Sequence, residues 1–248
     1  FREWMQFAKL KSMAGEEDPT IMSPVELFRR YLESLPQDIP AKEEIRSGKF
    51  WAAVRTEFMG TLLLVLLITS SIMLPSCIPK HQLCCQGNST RDCCDLNMAL
   101  YFQSLKGSLV YGLAMATLIQ CMGNISGGHF NPAITICMVV TRHISLLRAT
   151  LYIIIQCFGG LIGTAILYGL NPYARDNQFG ATVPVDGITA TEAFGIEFMM
   201  TFLVSLSTMS NLEPNRKDCF TKSLSIGFTY TLSYLFGYHF TGASMNPA

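Results

Sequence analysis

Asn-Pro-Ala occurs twice in this chain, at Asn131-Pro132-Ala133 and Asn246-Pro247-Ala248, each time behind a run of small residues and inside a strongly apolar stretch. Asn is among the best residues for capping a helix N-terminus. Pro suits the first helical position, where a missing N–H costs nothing. A helix that begins there presents bare N–H groups and the positive end of its dipole in the middle of a hydrophobic segment. Lipid cannot satisfy such groups, so the broken backbone has to be buried in protein or line a watery cavity. Two copies, one in each half of the chain, point to a pore built from a repeat.

Composition agrees with a membrane setting. Half of the 248 residues are hydrophobic and 15% are charged, where a soluble domain carries about 25% charged residues. A formal net charge of zero excludes the basic surface that a nucleic-acid partner requires. The chain starts at Phe1 and stops where the second Asn-Pro-Ala should be opening a helix, so the expectation is a piece of a longer protein.

Apolar runs at 51–74, 103–122, 146–170, 189–209 and 219–240 are each read as crossing a hydrocarbon core about 30 Å thick. The run at 134–140 is too short to cross and reads as a half-helix opened by the first Asn-Pro-Ala. Residues 1–50 form a polar N-terminal segment without a secretory signal. Within it Ser23-Pro24-Val25-Glu26 is a capping box opening a short amphipathic helix that bears Phe28, Tyr31 and Leu35. That helix either rests on the membrane or channel surface or forms only transiently in a flexible tail. Lys42, Arg46, Lys49, Arg142, Arg148, Arg216, Lys217 and Lys222 fall on one side of the predicted topology, against Lys80, Arg91 and Arg175 on the other. The richer side should be cytoplasmic, with the N-terminus on it.

Five of the nine cysteines, Cys77, Cys84, Cys85, Cys93 and Cys94, crowd the loop 75–97, while Cys121, Cys137, Cys157 and Cys219 stand alone as expected packing residues. Asn88-Ser89-Thr90 in the same loop is an N-glycosylation pattern, which favours an extracellular, oxidising setting and disulfides over a metal site. The pairing is not readable from sequence.

The halves also match in register. Asn131 and Asn246 stand 115 positions apart, as do Gly112 and Gly227, and Ser108-Leu109 and Ser223-Leu224. Glu57-Phe58-Met59 returns as Glu197-Phe198-Met199. Such matching implies an inverted repeat whose short broken helices meet near the midplane. Ionisable Glu57 and Glu197 within apolar spans should face the bundle interior with partners, although Glu57 also reads as a helix-start residue beside Arg55.

At these residues the chain resembles the aquaporins, the major intrinsic protein family. The likeness covers about 50–248. It rests on Glu57-Phe58-Met59-Gly60-Thr61, on the stretch from Gly112 to Thr117, and on Ile125-Ser126-Gly127-Gly128-His129-Phe130-Asn131-Pro132-Ala133. Gln156-Cys157-Phe158-Gly159-Gly160 and Thr241-Gly242-Ala243-Ser244-Met245-Asn246-Pro247-Ala248 agree as well. From Gly112 to Leu170 it is similar to the water-channel branch that includes the insect Big brain proteins.

The resemblance implies an all-α membrane fold: an inverted repeat of six transmembrane helices and two re-entrant half-helices, assembled as a homotetramer in the plasma membrane. The sixth helix and most of the second half-helix would lie beyond Ala248, with the Arg that normally follows. It further implies passive water conduction with Asn131 and Asn246 at the pore centre, and no enzyme activity, cofactor or metal. Tyr111, Tyr234 and Ala243 would form the selectivity constriction, with Tyr234 departing from the His of strict water channels and the Gly of glycerol channels. Glu57 and Glu197 would hold the re-entrant loops. His129 is open between a pore-wall donor, a pH-sensitive gate and a structural residue supporting its loop. The rival readings are a poorly conducting or ion-conducting Big brain-like channel, and an adhesion or signalling membrane protein that uses the Cys-rich loop.

Overall fold

A computed structural model describes residues 40–73, 90–171, 180–212 and 219–248, with side chains for all of these except 90–100 and 219–221. The segment at 23–35, the sequon at Asn88, and Cys77, Cys84 and Cys85 lie outside the described residues, as do the side chains of Cys93 and Cys94. The helices are α1 (Ala41–Arg46), α2 (Gly48–Ile72), α3 (Thr90–Ser126), α4 (Pro132–Val140), α5 (Leu146–Leu170), α6 (Ala190–Asn211) and α7 (Cys219–Thr241).

Among the described residues, four helices are long and apolar enough to cross a membrane: α2, α3 from Tyr101 onward, α5 and α6. The chain is an integral membrane protein. The fifth expected crossing, α7, is 23 residues long but richer in hydroxyls. Those groups are paired between helices: Ser223 Oγ donates to Gln120 Oε1 on α3 (2.8 Å) and Thr229 Oγ1 to Ser207 Oγ on α6 (2.9 Å). Helix α3 runs back to Thr90 over 37 residues, so Cys93 and Cys94 have helical backbone where a loop was expected.

Outer faces carry large apolar side chains such as Leu113, Leu161, Phe198 and Leu232, while Glu57, Asn131, Thr135 and Gln156 are buried inside. This inversion suits lipid as the surrounding solvent. It also corrects the expectation of packing roles for three of the isolated cysteines, the side chain of Cys219 lying outside the described residues. Cys121 and Cys157 are exposed and Cys137 is half-buried, because an apolar residue in a membrane chain has no need to turn inward.

Two close approaches organise the bundle. A Cβ on Gly159 would lie 2.7 Å from Phe58 O, and one on Gly163 would lie 2.7 Å from Leu62 O, so α5 rides directly on the α2 backbone. Across α3 and α7, Gly112 and Gly227 face each other: a Cβ on either would come within 2.5 and 2.4 Å of the other's carbonyl oxygen. The 115-residue register partners thus meet at the pseudo-twofold axis between the halves.

The five long helices alternate in direction. Tyr152 Oη, near the start of α5, donates to Ser126 O at the end of α3 (2.9 Å). At the same end, Glu44 of α1 accepts from Ser145 Oγ (2.5 Å) and Arg148 Nε (2.8 Å), docking α1 on the α4–α5 turn. Lys42, Arg46, Lys49, Arg142, Arg148 and Lys222 share this end, as the alternation requires. Glu44→Ala is expected to cost about 1–2 kcal/mol, between the worth of an exposed ion pair and a buried one. The check is a lower melting temperature in detergent, with the difference shrinking as salt is raised.

Candidate functional site

The first Asn-Pro-Ala caps a real half-helix. Asn131 is extended at φ −154°, its Oδ1 accepts from Ala133 N (2.8 Å), Pro132 opens α4, and the helix ends after nine residues. The second copy makes the same cap, with Ala248 N donating to Asn246 Oδ1 (3.0 Å).

The lead-in loops are copies in backbone as well as in sequence. Positive φ recurs at matching positions: Gly127 and Gly242, Gly128 and Ala243, Phe130 and Met245. Left-handed backbone at Phe130 and Met245 turns their carbonyls toward the opposite loop. Asn131 Nδ2 donates to Met245 O (2.8 Å), and Asn246 Nδ2 donates to Phe130 O (2.9 Å). The two capping asparagines therefore stitch the loops together reciprocally, at the junction of the halves.

Each loop hangs from one glutamate. Glu57 is fully buried, and its carboxylate accepts from Ser126 Oγ (2.6 Å), His129 N (3.0 Å), Phe130 N (2.7 Å) and Gln156 Nε2 (2.8 Å). Glu197 accepts from Thr241 Oγ1 (2.5 Å), Ser244 N (3.2 Å) and Met245 N (2.9 Å), register partners of the first three donors. Gly60 leaves room for the Phe130 ring, which a Cβ there would approach to 2.1 Å. His129 is buried, with Nδ1 3.1 Å from Thr135 Oγ1 and its ring edge-on to Tyr152. Thr135 in turn bonds Asn131 O and Gln156, so one polar network joins loop, cap and α5.

Cavities of about 410 and 400 Å³ lie on either side of the junction. His129, Gly128, Asn124, Met115 and Tyr230 line the first. Tyr111, Tyr234, Ala243, Ser244 and Asn246 line the second, so the three positions expected at the constriction are brought together. Tyr111 Oη donates to Ser244 O (3.0 Å), and its ring stands edge-on to Tyr234 with centroids 5.8 Å apart.

Sequence reading assigned no role to Gln156, Ser126, Thr241, Thr135 or Tyr230. A glutamine in an apolar span was the available signal for Gln156. Tyr230 stands one helical turn before Tyr234, a spacing that places both on one face of α7.

Matches to known proteins agree with this architecture. The family model described as Major intrinsic protein fits residues 44–248. The chain belongs to the major intrinsic protein family. Mouse Aquaporin-4 is 36% identical over 200 residues, covering 80% of this chain, and sheep Aquaporin-5 is 37% identical over 209 residues, covering 84%. The chain spans 56% of the length of the first and 70% of the second. Among solved structures, the aquaglyceroporin from Plasmodium falciparum superposes with a TM-score of 0.62 at 22% identity, over 80% of this chain and 77% of that one. That likeness carries the fold alone.

Proposed function

We propose that the full-length protein is a channel for passive, selective movement of water down an osmotic gradient, working as a homotetramer in the plasma membrane with the basic end cytoplasmic. The observation that carries this reading is the reciprocal stitch between Asn131 and Asn246 at the meeting of two capped half-spans. Nothing in simple helix packing calls for two N-caps to face each other inside a bundle. A water path through such a point does.

The physics follows from the caps. Amide hydrogens and positive helix ends at the junction turn a passing water's oxygen toward the asparagines. This orientation interrupts the hydrogen-bonded file and raises an electrostatic barrier to protons and cations. Glu57, Glu197 and His129 keep the loops in place, and no bond of the permeant is made or broken. On the Ala243 side, Tyr111 and Tyr234 narrow the path and disfavour polyols. The sequon at Asn88 and the five loop cysteines suit glycosylation and disulfides on the outer face.

Osmotic swelling of oocytes or proteoliposomes carrying the full-length protein tests the reading. Flux clearly above that of empty membranes is expected, and background flux with protein at the surface contradicts it. Tyr234→Gly is expected to admit glycerol, raising its uptake by about tenfold, the change that a barrier lower by roughly 1.4 kcal/mol produces. Unchanged glycerol uptake at equal surface expression would take Tyr234 out of the constriction.

A further inference from the structure

We propose that Tyr230 closes the waist between the two cavities and so limits conduction, an inference that rests on the water-channel reading above. Among the described residues, none lines both cavities. They approach each other where Tyr230, in one wall, packs against Tyr111, in the other, with ring centroids 4.8 Å apart. Around this contact Phe130, Asn131, Tyr230 and Met245 are at most 2% exposed, so the junction is shut.

The hydrogen bonds show how it is shut. A carboxamide has two N–H groups to offer. Asn131 gives one to Met245 O (2.8 Å) and directs Nδ2 to Tyr230 Oη at 3.3 Å, leaving no amide hydrogen for a permeating water. Asn246 is different: it is partly exposed and lines the second cavity. Asn246 also has a phenol beside it, Tyr111, but that side chain comes from α3 and stands in the wall of the second cavity. In the 115-residue register, the counterpart of Tyr230 is Met115. Its thioether is a weak acceptor that does not compete for an amide. The pseudo-twofold symmetry of caps, glutamates and cross-loop bonds does not extend to position 230, where a phenol stands in place of the Met115 thioether. The first cavity, which Tyr230 already lines, has room to receive the ring when it turns aside. Water then reaches Asn131.

The test measures osmotic water permeability of full-length Tyr230→Val, normalised to surface expression, beside the unsubstituted protein. A rise of about tenfold is expected, equivalent to about 1.4 kcal/mol of barrier. Tyr230→Met, which copies the register partner, serves the same purpose if the valine variant fails to reach the surface. Tyr230→Phe keeps the ring but frees the Asn131 amide hydrogen, so its flux is expected to rise by less than that of the valine variant. A rise there equal to that of valine overturns the ring as the obstruction. If the unsubstituted protein conducts and neither valine nor methionine raises the flux, the proposal is overturned while the channel reading stands. Background flux in every variant at the surface overturns the channel reading and the proposal with it.

Discussion

Glu57→Ala is expected to cost at least about 4 kcal/mol and to remove the folded protein from the cell surface, because it strips acceptors from four buried donors at once. Two of these, His129 N and Phe130 N, are backbone groups of a loop whose conformation is set by positive φ at Gly127, Gly128 and Phe130, and they have nowhere to turn. Gln156 can reorient only at the expense of its bond with Thr135, and Ser126 Oγ is also held as the acceptor of Gly128 N. Each unpaired buried donor costs about 1–3 kcal/mol, and total stabilities run to about 5–15 kcal/mol, so the loss approaches the whole margin. Glu57→Gln keeps the shape, trades one acceptor oxygen for a donor, and should fall between the two. Glu197→Ala is expected to be milder, since it abandons three donors rather than four and Glu197 itself is partly exposed, so water can reach the vacated site. Melting in detergent and surface expression measure all three. A Glu57→Ala protein that melts with the unsubstituted one would refute the anchoring.

Gly112→Ala should be nearly as damaging. The new methyl would lie 1.8 Å from Thr231 Oγ1 and 2.5 Å from Gly227 O. The hydroxyl can rotate away, but the carbonyl belongs to helix backbone, so α3 and α7 have to separate. Overpacking of this kind costs about 1–3 kcal/mol, and a backbone obstacle puts it at the upper end. The reciprocal change, Gly227→Ala, meets Gly112 O at 2.4 Å and should cost about as much. Near-equal drops in melting temperature are the signature of two residues facing each other across an axis. Unequal drops, or none, would contradict that contact.

Much of this was legible in the chain because membrane physics leaves few options. An Asn-Pro pair inside an apolar run has to be a re-entrant cap, and α4 indeed begins at Pro132 and ends at Val140. The 115-residue register carried over to the Gly112–Gly227 contact and to the paired donors on Glu57 and Glu197. What pattern could not show was how polar groups choose partners across distant segments. Glu44 reads as one more charge in a polar segment, yet it is 5% exposed and holds Arg148. Tyr230 reads as one of several aromatics along α7, and only the meeting of the two loops gives its hydroxyl an amide to bind. The hydroxyls of α7 lower its hydropathy, and their pairing with α3 and α6 exists only once the bundle is assembled.

The central claim is best tested by an experimental density map of the full-length protein in a lipid nanodisc. Asn131 and Asn246 are expected at the bilayer midplane, each capping its own half-helix and donating to the carbonyl of Met245 or Phe130 in the opposite loop. Either asparagine at headgroup depth, or an unbroken helix through either Asn-Pro-Ala, would contradict it.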